Sequence, residues 1–348
     1  MRLLIVLVIL LLTGCSELNY YRQAATGQWH LLSQRRDIQE LIATEQTPDN
    51  LKKQLELVQK IRDFASEELL LPDNHSYRTY ADLGRPYAVW NVVAAPALSI
   101  EPLSWCFPVA GCVPYRGYFD QKAAQRFARD LEEKGYDVHV YGVPAYSTLN
   151  WFDDPVLNTF VHYPEAHLAA LIFHELAHQQ LYIKDDGTFN ESFAQAVEMI
   201  GVERWLRVRQ QDTGREAFRL YKSRQQEFVD LVLQTREELS SLYRSDIPEP
   251  EQLATKEDLF RLFRQRYAAL KQQWDGDGRF DNWVERPLNN SHFALVATYH
   301  LYVPAFFALL EQHDGDLQRF YQAAAKLAAM PAPERHAALQ VLLIEVDH

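Results

Sequence analysis

The chain is poor in several residues whose abundance would define its class. It has 3 Cys, 13 Gly and 3 Met in 348 residues, which excludes a disulfide-dense mini-protein and a collagen-like repeat. Positive charge is scarce: 35 Lys and Arg stand against 47 Asp and Glu, a net charge of −12. Phosphate neutralisation needs clustered cations, so nucleic acid is excluded as a partner. No apolar run beyond the first few residues is long enough to span a bilayer, which excludes a multi-pass membrane protein. Internal repeats and low-complexity tracts are missing too. What remains is ordinary globular composition, 47% hydrophobic and 24% charged, at a length that allows two domains or one large domain with helical additions.

What is there begins with an address. Residues 1–13 read MRLLIVLVILLLT, one Arg and then an apolar stretch too short to span, the pattern of a signal peptide. The next residues complete Leu12-Thr13-Gly14-Cys15, which resembles the lipobox of bacterial lipoproteins: a branched apolar residue, two small ones and a cysteine. The resemblance implies that 1–14 are removed and that the mature chain starts at lipidated Cys15, its sole contact with the membrane. Ser16 in the following position resembles the outer-membrane default. The expectation is an outer-membrane lipoprotein facing the periplasm.

Two cysteines remain, Cys106 and Cys112, in Trp105-Cys-Phe-Pro-Val-Ala-Gly-Cys-Val-Pro114. In an oxidising compartment, two otherwise unpartnered cysteines this close should bridge, and Pro108 and Gly111 let the loop turn tightly enough. A zinc-ligand role is the weaker reading, because no second Cys pair follows.

Periodicity sketches the rest. Helical spacing over 20–44 and 49–71, broken at Pro48, predicts an N-terminal helical hairpin within a segment 15–85, with Leu51, Leu55, Val58, Ile61, Phe64 and Ala65 on one stripe. Acidic and basic residues interleave on its polar face, so the hairpin should pack on the rest of the chain and not on a membrane. Residues 87–95 and 137–143 read as strands flanking a helix over 121–134, the one credible β region, so any sheet is small. Beyond Pro164 helices are expected over 165–183, 190–211, 215–243, 251–274, 291–312 and 316–329. The fold class expected is α+β, predominantly helical, with a catalytic unit over 86–348.

The chemistry is concentrated in the first of those helices. It reads His174-Glu175-Leu-Ala-His178, and at 3.6 residues per turn the two histidines share a face and can share a metal. Glu175 lies beside them, within reach of a water at that metal. With 12 His in the chain, two ordinary histidines at a core edge are the competing reading. The second half is sharper. After a turn at Lys184–Gly187 comes Asn190-Glu191-Ser192-Phe193-Ala194, opening an antiparallel helix. Glu191 can then complete a His2Glu set with one position left for water, the composition of a catalytic zinc site with one Zn²⁺ per chain. Glu198 is the rival third ligand.

These residues resemble the gluzincin metallopeptidases, in which H-E-x-x-H is followed by a helix beginning Asn-Glu, and Asn-Glu-x-Phe-Ala is the aminopeptidase N form. Only twelve residues separate His178 from Glu191, fewer than in those families, so the intervening loop must be tight. The Asn-Glu-x-Phe-Ala context favours Glu191 over Glu198. A wider likeness covers nearly the whole mature chain. Tyr115-Arg-Gly-Tyr-Phe119, Gly142-Val-Pro-Ala-Tyr146 through Asp154-Pro-Val-Leu-Asn158, and Leu288-Asn-Asn290 with Tyr299 are similar to the predicted aminopeptidases of bacterial lipoproteins. The resemblance implies a zincin-like fold, zinc peptidase chemistry on a peptide or protein substrate and, more weakly, exopeptidase action. The Gly-x-Met-Glu-Asn segment that holds the substrate amine in aminopeptidase N enzymes is missing. Asp153 and Asp154 are the nearest acidic candidates, although a helix cap before Pro155 suits them better.

The mechanism implied assigns Glu175 as general base. Tyr299, with His300 second, is the candidate donor to the developing oxyanion, against an ordinary core aromatic. Two other classes fit the same sequence: a non-catalytic or assembly-factor lipoprotein of zincin fold, and a zinc amidase acting on cell-wall peptides. Retention of Glu175 favours catalysis, because a structural metal site does not need it.

Overall fold

The structure, a computed structural model, describes residues 2–107, 111–149, 151–294 and 301–346. It is predominantly helical with three small sheets, as the composition and periodicity predict. Among the described residues no helix is long and apolar enough to cross a membrane.

The N-terminal segment departs from the expected pattern. Helix α1 (Arg2–Ser33) stops well before residue 44, and β1 (Arg36–Asp37) and α2 (Ile38–Ala43) follow. The reason is local: the Asp37 carboxylate accepts from the backbone N–H of Gln39 at 2.8 Å and Glu40 at 3.1 Å, an N-cap that starts a new helix. Helix α3 (Asp49–Glu67) buries the expected stripe of Leu55, Val58, Ile61, Phe64 and Ala65. The same face carries Arg62, which has no solvent exposure. Its guanidinium donates to the carbonyls of Pro72 (2.6 Å), Ser76 (2.9 Å) and Asn74 (3.1 Å), so the buried charge organises the segment after α3.

Strand β2 (Thr79–Ala81) pairs antiparallel with β1 and parallel with β8 (Val156–Leu157). These strands lie outside the region 87–143, so that region is not the sole β segment. Strands of two or three residues carry no readable period, and their partners are distant in sequence. The second sheet has the order β6-β3-β7, with β3 (Val89–Pro96) central and antiparallel to both β6 (Arg116–Tyr118) and β7 (Tyr136–Val143). Helix α4 (Gln121–Glu132) packs Ala124, Ala128 and Leu131 on Trp90, Val92, Tyr118 and Val138. Between β3 and β6 lies the hairpin of β4 (Trp105–Phe107) and β5 (Gly111–Val113), in which Cys106 and Cys112 face each other and are disulfide-bonded.

The helical region starts with α5 (Glu165–Gln180), α6 (Gly187–Val208), α7 (Asp212–Tyr243) and α8 (Glu249–Gln273). Short α9 (Asp281–Val284) and α10 (Asn290–Ala294) follow. The helix expected over 291–312 is not continuous through its C-terminal half: α11 (Val303–Glu311) has its own N-terminus, with Pro304 in its first turn, the position where a missing N–H costs least. Helix α12 (Leu317–Ala328) matches expectation. Helix α13 (Ala332–Val346) was not anticipated. The main core joins α3, α5, α6, α11 and α12, with Phe173, Phe189, Phe193, Phe306 and Phe320 fully buried. A second apolar cluster fills the space between α7, α8 and α10.

Candidate metal centre

The site is built from α5 and α6, which lie antiparallel and are clamped at both ends. At the far end Glu165, in the first turn of α5, accepts from Trp205 Nε1 (2.9 Å), Gln211 Nε2 (3.1 Å) and Arg209 Nε (3.2 Å). At the near end the connection is only residues 181–186, with Asp185 at φ +65°. The loop is tight, as the short spacing requires, but α6 begins at Gly187, one turn before the expected Asn190. Asp186 caps it, accepting from Phe189 N at 3.1 Å. The other carboxylate oxygen of Asp186 accepts from Arg335 Nη2 (2.6 Å) and Nε (2.8 Å) on α13. The C-terminal helix thus ties down the loop between the two motif helices.

Each residue of Asn190–Ala194 has a distinct task. Asn190 clasps the loop, accepting from Ile183 N (2.8 Å) and donating to Ile183 O (2.7 Å). Ser192, fully buried, accepts from the backbone N–H of Tyr302 at 3.2 Å and seats the start of α11. Phe193 packs among Phe306, Phe320 and Tyr321. Ala194 is small enough to be covered completely. Glu191 is left facing α5.

There Glu191 sits between the two histidines, its Oε2 3.4 Å from His174 Nε2 and its Oε1 3.7 Å from His178 Nε2. The three groups offer ligand atoms that all lie within 4.8 Å of one another and could hold a metal ion. Glu198, the rival ligand, takes another part. Two turns along α6, its Oε2 is 3.1 Å from His174 Nδ1, and its Oε1 is 2.6 Å from Lys222 Nζ on α7. With Nδ1 engaged by a carboxylate, His174 presents Nε2 to the site. This is the arrangement that orients a ligating imidazole. His178 has no such partner among the described residues, its Nδ1 being buried without a hydrogen bond.

Electrostatics fit a site that receives positive charge. Burial alone would lower the His174 pKa, but Glu191 and Glu198 reverse this and raise it to about 10. The pocket therefore already stabilises a cation where the ligand atoms meet. His178 goes the other way, to about 4, because burial dominates, so it offers a neutral imidazole lone pair. Burial raises Glu175 to about 7, with the nearby negative charge of Asp154, Glu191 and Glu198 adding to the effect against His174. The donor chemistry of two imidazoles and a carboxylate, with surroundings that favour a cation, fits zinc.

The second layer reaches far along the chain. Gln179, next to His178, donates from Nε2 to Ser76 Oγ and Asp154 Oδ2, both at 3.2 Å, and accepts from Asn74 Nδ2 at 2.8 Å. Asp154 is 4% exposed and also accepts from Thr148 N (3.0 Å) and Thr148 Oγ1 (2.7 Å). It caps no helix, because Val156 and Leu157 continue as β8. Asp153 contributes a backbone carbonyl to Arg35 at 3.1 Å. Tyr115, Tyr141 and Tyr182 come from three different segments. Each has its pKa raised by burial, with the charge of Glu191 adding to it. The disulfide hairpin that precedes Tyr115 is anchored to the 181–186 loop, Cys112 N donating to Asp185 Oδ1 at 2.6 Å.

The structure thus brings together His174, His178 and Glu191, with Glu175 on the same helix. Tyr299 and His300 lie outside the described residues, and Cys15 falls within α1. Glu198 was visible in the sequence only as a rival ligand. Lys222 and Gln179 were not anticipated, since nothing local marks a residue that acts through another. Tyr115 lay in a segment noted only for family likeness.

Fold and site define a mainly helical α+β chain built around an antiparallel helix pair that presents a candidate metal-binding trio. The chain belongs to the family described as putative aminopeptidase, whose model matches residues 19–339. No curated protein and no solved structure matches it.

Proposed function

We propose that the chain is a zinc-dependent metallopeptidase, acting as an aminopeptidase on peptides in the periplasm. The observation that carries this reading is the convergence of His174 Nε2, His178 Nε2 and the Glu191 carboxylate, with a further carboxylate, Glu175, next to His174 on α5 and outside that trio. His174, His178 and Glu191 would hold the ion. When bound, zinc supplies Lewis acidity toward a substrate carbonyl and makes water a stronger acid.

The remaining steps belong to the chain's own residues. Glu175 takes a proton from the attacking water as its oxygen bonds to the scissile carbonyl carbon. It then delivers that proton to the leaving amine as the C–N bond breaks. Glu198, held by Lys222, keeps His174 in the tautomer whose Nε2 lone pair faces the site. The donor to the developing oxyanion is assigned to Tyr299 on sequence grounds. The lipobox-like Leu12–Cys15 supports attachment to the outer membrane through a lipid on Cys15.

Two substitutions test the reading. Glu175→Gln should keep zinc and thermal stability near wild type while peptide hydrolysis falls by about two to four orders of magnitude. His178→Ala should lose zinc as well as activity. Equal hydrolysis by wild type and Glu175→Gln, or no hydrolysis by zinc-loaded wild type of peptides with free or blocked N-termini, would overturn it.

A further inference from the structure

A cavity of about 630 Å³ lies between α6, α7 and α11, within the range of small-molecule sites. The metal trio does not line it. Its apolar surface comes from Met199, Phe218, Val303 and Phe307, and its charged groups are mainly cationic: Arg204, Arg207, Arg219 and Lys222 against one acid, Glu203. In a chain of net charge −12, four cations around one apolar cavity run against the whole.

The cations are not equally available. Lys222 is committed to Glu198 at 2.6 Å, and Arg219 to Glu203 at 2.5 Å. Arg204 donates to the Gly315 carbonyl at 2.6 Å and forms no ion pair among the described residues, although the charge of Glu68 acts on it. Arg207 is exposed, and its side chain forms no ion pair or hydrogen bond among the described residues. It lies one turn from Arg204 on α6, and after burial its charge is the next influence lowering the Arg204 pKa. Two guanidinium groups one turn apart therefore stand at one end with neither in an ion pair among the described residues, Glu203 being held by Arg215 and Arg219.

At the other end Gln195, only 9% exposed, lines the cavity, and its side chain makes no hydrogen bond among the described residues. From Gln195 to Arg207 is about 18 Å of helix. The wall along α6 is apolar in its middle and its unpaired cations lie at the Arg207 end, since Lys222, near the Gln195 end, is paired with Glu198. A compact anion would leave the apolar wall uncovered, and a neutral lipid would leave the arginines unanswered.

We infer that this cavity binds a straight-chain amphiphile with a carboxylate head, its alkyl body along Met199, Phe218 and Phe307 and its head at Arg204 and Arg207. Neither a metal nor peptide hydrolysis enters this binding. Isothermal titration of the purified full chain with laurate should show saturable binding of one equivalent. Dodecanol, with the same body and no charge, should bind about tenfold or more weakly, as should laurate to Arg207→Glu, since each removes a charge-assisted contact. Met199→Trp should block the cavity and abolish binding. Phe307→Trp is the second blocking variant, and circular dichroism confirms that each is folded. No saturable binding of laurate, equal binding of dodecanol, or unchanged binding by a folded blocking variant would overturn the inference. So would binding of N-acetyl-leucyl-leucine in place of laurate, which would give the cavity to peptides.

Discussion

Glu198 offers the most informative perturbation, because it carries two buried contacts that can be separated. Its oxygens face His174 Nδ1 at 3.1 Å and Lys222 Nζ at 2.6 Å, and the Glu198 and Lys222 side chains are each 11% exposed. In Glu198→Gln the amide oxygen can still accept from His174, but the amide NH2 then points at the Lys222 ammonium, donor against donor. Removing one partner of a buried pair costs about 3–5 kcal/mol. Lys222 also lines the cavity, so a stranded ammonium there should be partly relieved and the lower end applies. For a chain of 348 residues, a loss of about 3 kcal/mol corresponds to a fall of about 4 °C in Tm. Separately, weakening the outer partner of a ligating imidazole should reduce zinc affinity about 10- to 100-fold.

The double variant Glu198→Gln/Lys222→Met removes the stranded charge, so it should regain most of the stability and none of the zinc affinity. Thermal melts of the metal-free protein and chelator competition for zinc measure the two quantities independently. Recovery of zinc affinity together with stability would refute the reasoning, because Glu198 would then act only through the fold. Zinc affinity in Glu198→Gln within about twofold of wild type would refute it as well.

Three further perturbations probe the framework. Asp186→Ala removes the cap of α6 and strands the buried Arg335 guanidinium, so chemical denaturation should show a loss of about 3–5 kcal/mol. Burial raises the Asp186 pKa, but Phe189 N–H, Arg335 and His336 more than reverse this, so the folded value lies below the unfolded one. Its contribution is therefore complete above the ordinary carboxylate range and fades as pH falls through the folded value. Asp154 has the opposite sign. Burial raises it to about 6 in spite of hydrogen bonds from Thr148 and Gln179, so wild-type stability should decline by about 3 kcal/mol as pH rises from about 4 to about 6. Urea titrations of Asp154→Ala should lack that slope. Gly201→Ala tests the α5–α6 contact, because a Cβ there would lie 2.6 Å from the Phe173 ring and 2.8 Å from Leu69. Overpacking of about 1–3 kcal/mol should exceed the gain in helix propensity of about 1 kcal/mol, so Tm should fall.

The sequence by itself determined the features that rest on local spacing. One helical turn sets His174 and His178 on one face, and the apolar stripe of α3 follows from the same 3.6-residue period. The short spacing between His178 and Glu191 forces a tight connection, which the structure meets with Asp185 at positive φ and Asn190 clasping Ile183. Pro164 and Gly135 marked element ends because a missing N–H or a left-handed residue limits a helix wherever it falls.

Only the tertiary structure decided what depends on distant segments meeting. That Glu198 holds His174 and is itself held by Lys222 needs α7 laid beside α6. That Asp154 is a buried acceptor for Gln179, not a cap, needs β8 paired with β2 across some seventy-five residues. Helix α13 has weak amphipathic character, and its role is visible only where Arg335 reaches Asp186. The cavity and its paired arginines are likewise products of three helices that no window of sequence contains. The division is physical. Backbone periodicity is set by neighbours along the chain, whereas burial, charge pairing and cavity shape are set by neighbours in space.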